Sequence, residues 1–137
     1  MLQSYRGLLD WQKSIELVEK VYSVTKRFPK TEMFGLSTQM QRAATSIPSN
    51  IAEGYGRSHR AEYLQHLSYA RGSLCELETQ LVIAARLNYV DRIALVPVWR
   101  QTQSVGQLLN KHIASLKSPN RPFPGPRNPK PGTRVNP

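Results

Sequence analysis

The chain has 137 residues, enough for one domain with a substantial core and too few for two ordinary domains. Nineteen lysines and arginines stand against nine aspartates and glutamates, which gives a formal net charge of +10. This charge favours a polyanion or an anionic surface as partner, although a basic protein can also be merely soluble. Cys75 is the single cysteine, so an intrachain disulfide and a four-thiolate zinc site are both excluded.

The sequence supports neither a secretory signal peptide nor a membrane-spanning segment. Its first residues, MLQSYRGLLD, lack the apolar core of a signal peptide. No uncharged apolar run approaches the roughly 18 residues that a membrane span requires. Together with the single cysteine, these features predict a cytoplasmic protein without a membrane partner.

The first predicted helix, from about Leu8 to Lys26, carries two apolar rows that step by three and four residues. Together the rows cover about 200° of the helix circumference, whereas burial against one core needs little more than about 100°. The surplus predicts a second surface that is buried against another subunit. The first row is Leu8, Trp11, Ile15, Val18 and Tyr22, and the second is Leu17, Val21, Val24 and Phe28.

Three more helices follow from the same spacing, and no segment alternates with strand period. Short connections between helices are typical of antiparallel neighbours, so the sequence predicts an all-α, up-and-down four-helix bundle. The expected N-caps are Thr31 or Ser37 for the second helix, Ser58 for the third and Asp91 for the fourth.

The composition changes at Ser118. Seven of the last twenty residues are proline, four are basic and none is acidic. Such a segment cannot bury enough apolar surface to offset its ordering entropy. The sequence therefore predicts a bundle over residues 1–117 and a disordered, basic, proline-rich tail over residues 118–137.

Three separated blocks carry a resemblance to a known family. They read LLDWQKSIELVEKVYSVTKRFP, RAATSIPSNIAEGYGR and EYLQHLSYARGSLCELETQL, and the similarity extends over about residues 6–116. In this order they closely resemble the four-helix bundle family named for the 23S ribosomal RNA intervening-sequence proteins. That family is similar to the accessory variability determinants of diversity-generating retroelements, which are basic homopentamers that bind nucleic acid and a reverse transcriptase. The resemblance implies a ring-forming, non-enzymatic protein, with five subunits as the expected number.

Pro48 lies inside the apolar stripe of the second helix, where a proline costs about 3 kcal/mol in an isolated helix. Hydroxyl and amide side chains surround it, including that of Asn50, and these can bond the freed backbone groups. The resemblance places the block on the second helix as a kink. We therefore interpret Pro48 as a structural bend, in preference to a ligand site.

The end of this block contains a carboxylate and two glycines. Glu53 lies next to the apolar face and needs a cation if it is buried, so we hypothesise an internal ion pair with Arg71 of the third helix. Gly54 or Gly56 is expected to end the second helix in the left-handed conformation.

We find no catalytic or cofactor-binding constellation in the sequence. Cys75 lacks an orienting third group and an oxyanion hole. His59 and His66 are seven residues apart, too far for a chelating pair on one helix, and are expected to be exposed. His112 falls on the apolar stripe of the fourth helix, where we expect a hydrogen-bonded interior histidine. The sequence thus predicts no enzyme activity, no cofactor and no metal site.

Basic residues form two candidate patches, because the connections between helices alternate between the two ends of an up-and-down bundle. Phosphate contacts from these patches would multiply around a ring. The sequence favours non-catalytic binding of RNA or DNA, and the family resemblance implies a reverse transcriptase as a further partner. The alternative is a protein-interaction or structural module whose charge is incidental. The candidate contacts are Lys26, Arg27 and Lys30 after the first helix, Arg57 and Arg60 before the third, and Arg121, Arg127 and Lys130 in the tail.

Overall fold

A computed structural model describes residues 4–118. Four helices make up the bundle: α1 (Leu9–Thr25), α2 (Leu36–Tyr55), α3 (Arg60–Arg86) and α4 (Arg92–Lys117). Short 3₁₀ turns lie at Tyr5–Gly7 and Lys30–Glu32. Each helix packs against two neighbours, in the cyclic order α1, α2, α3, α4. The predicted all-α bundle is confirmed over residues 4–118, in which no strand occurs.

Neighbouring helices run in opposite directions. Asp10 at the start of α1 contacts His112 near the end of α4, with 2.6 Å between Oδ2 and Nδ1. Thr25 at the end of α1 accepts a hydrogen bond of 3.0 Å from the Gln41 amide, near the start of α2. The α1–α2 and α3–α4 connections therefore lie at one end of the bundle, and the α2–α3 connection lies at the other.

The two apolar rows on α1 are buried to different depths, and members of the shallower row pack against the edge of the core. The row that contains Leu17 and Val21 is fully buried. In the other row, Trp11 and Val18 are half-buried and Tyr22 is exposed. The described chain therefore leaves part of the first row uncovered, as the width of the apolar arc predicts. The core of the other three helices is made by Met40, Ala43, Ala44, Ile47 and Ile51, by Tyr63, Leu67, Ala70, Leu74, Leu77, Leu81 and Ala84, and by Leu95, Val98, Val105, Leu109, Ile113 and Leu116.

The cap expected for α2 is wrong. Neither Thr31 nor Ser37 caps this helix, because the Lys30–Glu32 turn brings another side chain to the first exposed amide. The Glu32 Oε1 atom accepts a hydrogen bond of 2.9 Å from the Leu36 amide. A carboxylate at this position also complements the positive end of the helix dipole.

The fourth helix begins as predicted, and the third does not. Asp91 accepts a hydrogen bond of 3.1 Å from the Ile93 amide and caps α4. Ser58 does not cap α3, because the chain continues in extended conformation to His59, whose side chain makes no capping bond.

Neither glycine at the end of α2 is left-handed, so that expectation is also wrong. Gly56 ends the helix at φ −80°, in the right-handed region. Gly54 is still inside the helix, where a Cβ atom would lie 2.9 Å from the His66 Cβ. This glycine is therefore required by the close approach of α2 to α3.

A buried chain of hydrogen bonds joins three of the helices. His112 lies between Asp10 and Tyr63, with 2.6 Å from Nδ1 to the carboxylate and 2.7 Å from Nε2 to the hydroxyl oxygen. In the neutral imidazole, Nδ1–H donates to Asp10 and Nε2 accepts from Tyr63. Asp10 is 4% exposed and Tyr63 is 1% exposed. His112 is the hydrogen-bonded interior histidine that its place on the stripe predicts.

The ionisation of Tyr63 makes this chain sensitive to alkali. Burial, and then the charge of Asp10, raise the pKa of the Tyr63 phenol above its ordinary value. Unfolded protein releases this proton near pH 10 while folded protein retains it, so the free energy of unfolding falls as pH rises above 10.

Replacing Tyr63→Phe removes this effect together with the hydrogen bond to His112. At neutral pH we expect the variant to be less stable by about 1–3 kcal/mol, because His112 Nε2 loses its hydrogen-bonding partner. Above pH 10 the difference should shrink by up to about 1.4 kcal/mol per pH unit, since only the wild type loses stability through this group. Urea unfolding followed by circular dichroism at several pH values measures both quantities.

Tyr69→Phe is the matched control, because Tyr69 lies on the same helix and is half exposed. Its stability difference from the wild type should be small and independent of pH. A Tyr63→Phe difference that stays constant above pH 10 would contradict this assignment.

Candidate nucleic-acid interface

Five exposed cations gather at the end of the bundle that holds the α1–α2 and α3–α4 connections. Three of them, Lys26, Arg27 and Lys30, belong to the α1–α2 connection, and the sequence predicts this part of the group. Arg86, in the last turn of α3, and Arg92, the first residue of α4, join them because the antiparallel topology brings the α3–α4 connection to the same end. We call this group the basic end: Lys26, Arg27, Lys30, Arg86 and Arg92.

Both carboxylates in these two connections, those of Glu32 and Asp91, accept hydrogen bonds from neighbouring groups. Glu32 accepts hydrogen bonds from the Tyr89 hydroxyl at 2.6 Å and from the Leu36 amide, and both bonds hold the pKa of its carboxyl below the ordinary value. The same carboxylate bond raises the pKa of the Tyr89 phenol. Asp91 caps α4. These carboxylates keep their charge, but five cations against two carboxylates leave the basic end with a net positive charge.

The two connections at this end are held against each other. Asn88 adopts φ 58°, a left-handed conformation that asparagine tolerates, and it turns the chain after α3. This turn brings the Tyr89 amide to the Ala84 carbonyl and its hydroxyl to Glu32. The Tyr89 ring also packs on Phe28, with 5.6 Å between ring centroids. The cations of the α1–α2 connection, α3 and α4 are thus carried on a fixed frame.

The second predicted patch lies at the opposite end of the bundle and has a different character. Arg57 is exposed, whereas Arg60 is half-buried and its Nε atom is enclosed by protein. Exposed carboxylates of Glu53 and Glu62 accompany them at the end of α2 and in the first turn of α3. This mixture of charges makes the second patch the weaker candidate for a phosphate site.

The predicted tail contacts Arg121, Arg127 and Lys130 lie outside the described residues. The α4 helix ends at Lys117, the boundary at which the sequence predicts the bundle to end. The division of the chain at this point stays a prediction.

Pro48 lies within α2 and is buried, and the helix continues through it. Polar side chains lie on either side of it along the chain, on the face of α2 toward α3, and we call them together with their α3 partners the polar seam. Asn50 Nδ2 donates to the Ser46 carbonyl at 2.9 Å and approaches the Ser46 hydroxyl at 3.0 Å. Ser46 in turn contacts the Ser73 hydroxyl at 2.9 Å, and the Asn50 amide oxygen lies 3.1 Å from His66 Nδ1. These four side chains link α2 to α3, so His66 is half-buried and the expectation of an exposed histidine is wrong.

The hypothesised ion pair between Glu53 and Arg71 is not formed. Glu53 projects from the surface with 60% of its side chain exposed, and its Oε1 atom lies 3.9 Å from His66 Nδ1. Arg71 turns to the other side of α3 and donates to the Asn110 amide oxygen of α4 at 3.1 Å. The pair fails because Glu53 is not buried and so needs no internal cation.

The described part of the chain offers little for metal chemistry. Within residues 4–118, no three histidine, cysteine, aspartate or glutamate side chains come together as metal ligands. None of the helices in this range is long and apolar enough to cross a bilayer.

Comparisons with known proteins agree with this architecture. The family model described as 23S rRNA-intervening sequence protein matches residues 6–111. A crystal structure of a protein of unknown function from the S23 ribosomal protein family of Bacteroides thetaiotaomicron is 25% identical to this chain. The likeness covers 77% of this chain and 98% of that one, with a TM-score of 0.71. None of the curated proteins matches the chain. The matched bundle of residues 6–111 shows that the chain belongs to the 23S rRNA-intervening sequence protein family.

Proposed function

We propose that the protein binds RNA or DNA without catalysis, through contacts between phosphate groups and the basic end. The observation that carries this proposal is the placement of five exposed cations, from the α1–α2 connection, α3 and α4, at one end of the bundle, where the two connections carry only two carboxylates. Lysine and arginine contacts to phosphate release condensed counterions, and this release drives binding that does not depend on nucleotide sequence.

The test is the salt dependence of binding by the full chain. Lys26→Gln, Arg27→Gln and Lys30→Gln are combined in one variant, because each removes a charge from an exposed position. For a fluorescent single-stranded RNA, each phosphate contact contributes about −0.7 to the slope of log affinity against log salt. We expect the variant to bind more weakly and its slope to be shallower by up to about 2. Fluorescence anisotropy across a salt series measures both.

A matched variant removes three cations from the opposite end: Arg57→Gln, Lys111→Gln and Lys117→Gln. All three are exposed, and the net charge falls by the same amount. We expect a smaller loss of affinity and a smaller change of slope. Equal losses in the two variants would show that the net charge matters and the basic end does not.

A third variant, with Arg121→Gln, Arg127→Gln and Lys130→Gln, tests the tail. We expect it to retain the steep salt slope of the wild type. If it alone loses binding, the tail is the binder. If the wild type itself does not bind, the alternative of a protein-interaction module replaces the proposal.

We further propose that the protein assembles as a ring, a pentamer by family resemblance. The uncovered apolar row of α1 supports a contact with a second copy, since apolar residues in rows favour burial. Tyr22 belongs to this row and is 42% exposed. Repetition around a ring would place several basic ends on one nucleic acid and raise the affinity without new contacts.

Tyr22→Glu places a charge in the proposed contact and should lower the mass measured by sedimentation equilibrium. Tyr69→Glu, on α3, is the control and should leave the mass unchanged, because Tyr69 lies outside the α1 row. A wild-type protein with the mass of one chain would contradict the assembly.

The resemblance to retroelement accessory proteins adds a reverse transcriptase to the proposed partners. Tagged protein should then retain the reverse transcriptase encoded beside its gene, and the fraction retained after nuclease treatment reports direct contact. A gene neighbourhood without a reverse transcriptase and without paired template and variable repeats would contradict this role.

A further inference from the structure

An open groove of about 290 Å³ lies between α3 and α4 and begins next to the basic end. Its floor is apolar and includes Leu81 and Leu95. Its walls carry Val82 and Val96, and the Trp99 indole is 41% exposed. Part of the Trp99 ring is therefore open to solvent and available to a partner that can stack on it.

Two guanidinium groups flank this tryptophan along α4. Arg92 and Arg100 both line the groove, and both are exposed. At a rise of 1.5 Å per residue, their Cα positions are about 12 Å apart along the helix, with Trp99 between them. No carboxylate is among the described residues that line the groove, so its charge is positive.

On the side away from the basic end, exposed side-chain hydrogen bonds cross between the two helices. There the Gln103 amide donates to Glu78 at 3.0 Å and bridges the two helices. Further along, Arg71 makes a second bridge to Asn110. The open side is marked by Arg92, which is itself a member of the basic end. A strand bound at the basic end can therefore continue directly into the groove.

We propose that this groove holds an unpaired base of a bound single strand, stacked on Trp99, with adjacent phosphates at Arg92 and Arg100. The inference rests on the proposed function and adds to it a preference for single strands. Stacking on aromatic side chains beside a cationic groove is how proteins bind single-stranded nucleic acid without reading its sequence. Charge complementarity selects this occupant, because phosphates bear the negative charge that the two arginines require.

An acidic amphipathic helix of another protein is the competing occupant, since its apolar side chains could also fill the floor. Such a helix uses anchors repeated over two turns or more. The groove's volume of about 290 Å³ lies at the low end for small-molecule pockets, about 300–1,000 Å³, which favours one planar base.

Tryptophan fluorescence tests the inference, because the chain contains only one other tryptophan, Trp11. Trp11→Phe leaves Trp99 as the sole reporter, and the full chain is titrated with a 12-nucleotide single-stranded RNA. We expect quenching of Trp99 by this strand and little quenching by an abasic strand of equal length, which has the same phosphates and no bases. The reciprocal protein, Trp99→Phe, should show no quenching of Trp11.

Affinity gives a second readout that does not depend on fluorescence. Trp99→Leu keeps an apolar side chain in the groove and removes the stacking surface. We expect it to bind the 12-nucleotide strand about 5-fold to 150-fold more weakly by anisotropy, with an unchanged affinity for the abasic strand.

Each contrary outcome is distinct from failure of the proposed function. Equal quenching by the abasic strand, or an unchanged affinity of Trp99→Leu, overturns base stacking while the salt-dependent binding stands. A change of Trp99 emission with protein concentration alone shows that a second copy covers the groove. A change caused only by an acidic helical peptide assigns it to a protein partner. Absence of any binding in the anisotropy assay removes both proposals.

Discussion

The buried carboxylate of Asp10 constrains the positions of three helices. An unpaired charge at this depth would cost several kcal/mol, so the structure requires a hydrogen-bonding partner beside it. His112 can supply that partner only when the start of α1 lies beside the end of α4. The hydrogen bond between His112 and Tyr63 then sets the position of α3. Because the helices are rigid, this alignment also determines which residues meet 20 Å or more away along the bundle, at about 1.5 Å per residue. The gathering of cations at the basic end is a consequence of that register.

Pro48 illustrates how a locally unfavourable residue is accommodated. Proline at position 48 removes the donor that the Ala44 carbonyl would have in a regular helix. The side chains beside it act elsewhere: Asn50 bonds the Ser46 carbonyl, and Ser46 and Asn50 reach Ser73 and His66 of α3. The same short block therefore contains the proline and the polar seam that holds α2 against α3. This arrangement favours a structural role for Pro48.

The periodic apolar residues predict the four helices and their order well, since spacing of three and four residues is a local property. The ends of helices are predicted less well. Asp91 caps α4 from two residues away, so its role is visible in the sequence, whereas Glu32 is positioned by a turn and by Tyr89, 57 residues further along. The predicted pair of Glu53 and Arg71 is wrong for the same reason. Spacing along a helix gives the side on which a residue lies, but it does not tell which neighbouring helix that side meets. Trp99 lies next to the buried residues of α4. The groove beside it exists because α3 packs there, which the sequence of α4 alone does not show.

The central claim is that nucleic acid contacts the basic end. Hydrogen–deuterium exchange of the full chain, with and without a single-stranded RNA, tests it without any substitution. The connections at the basic end, residues 26–35 and 87–91, lie outside the four long helices, so their amides should exchange faster than those of the helix interiors in the free protein. The account predicts that RNA slows exchange there. Slowed exchange confined to residues 56–59 at the opposite end, or to residues 119–137, would contradict it.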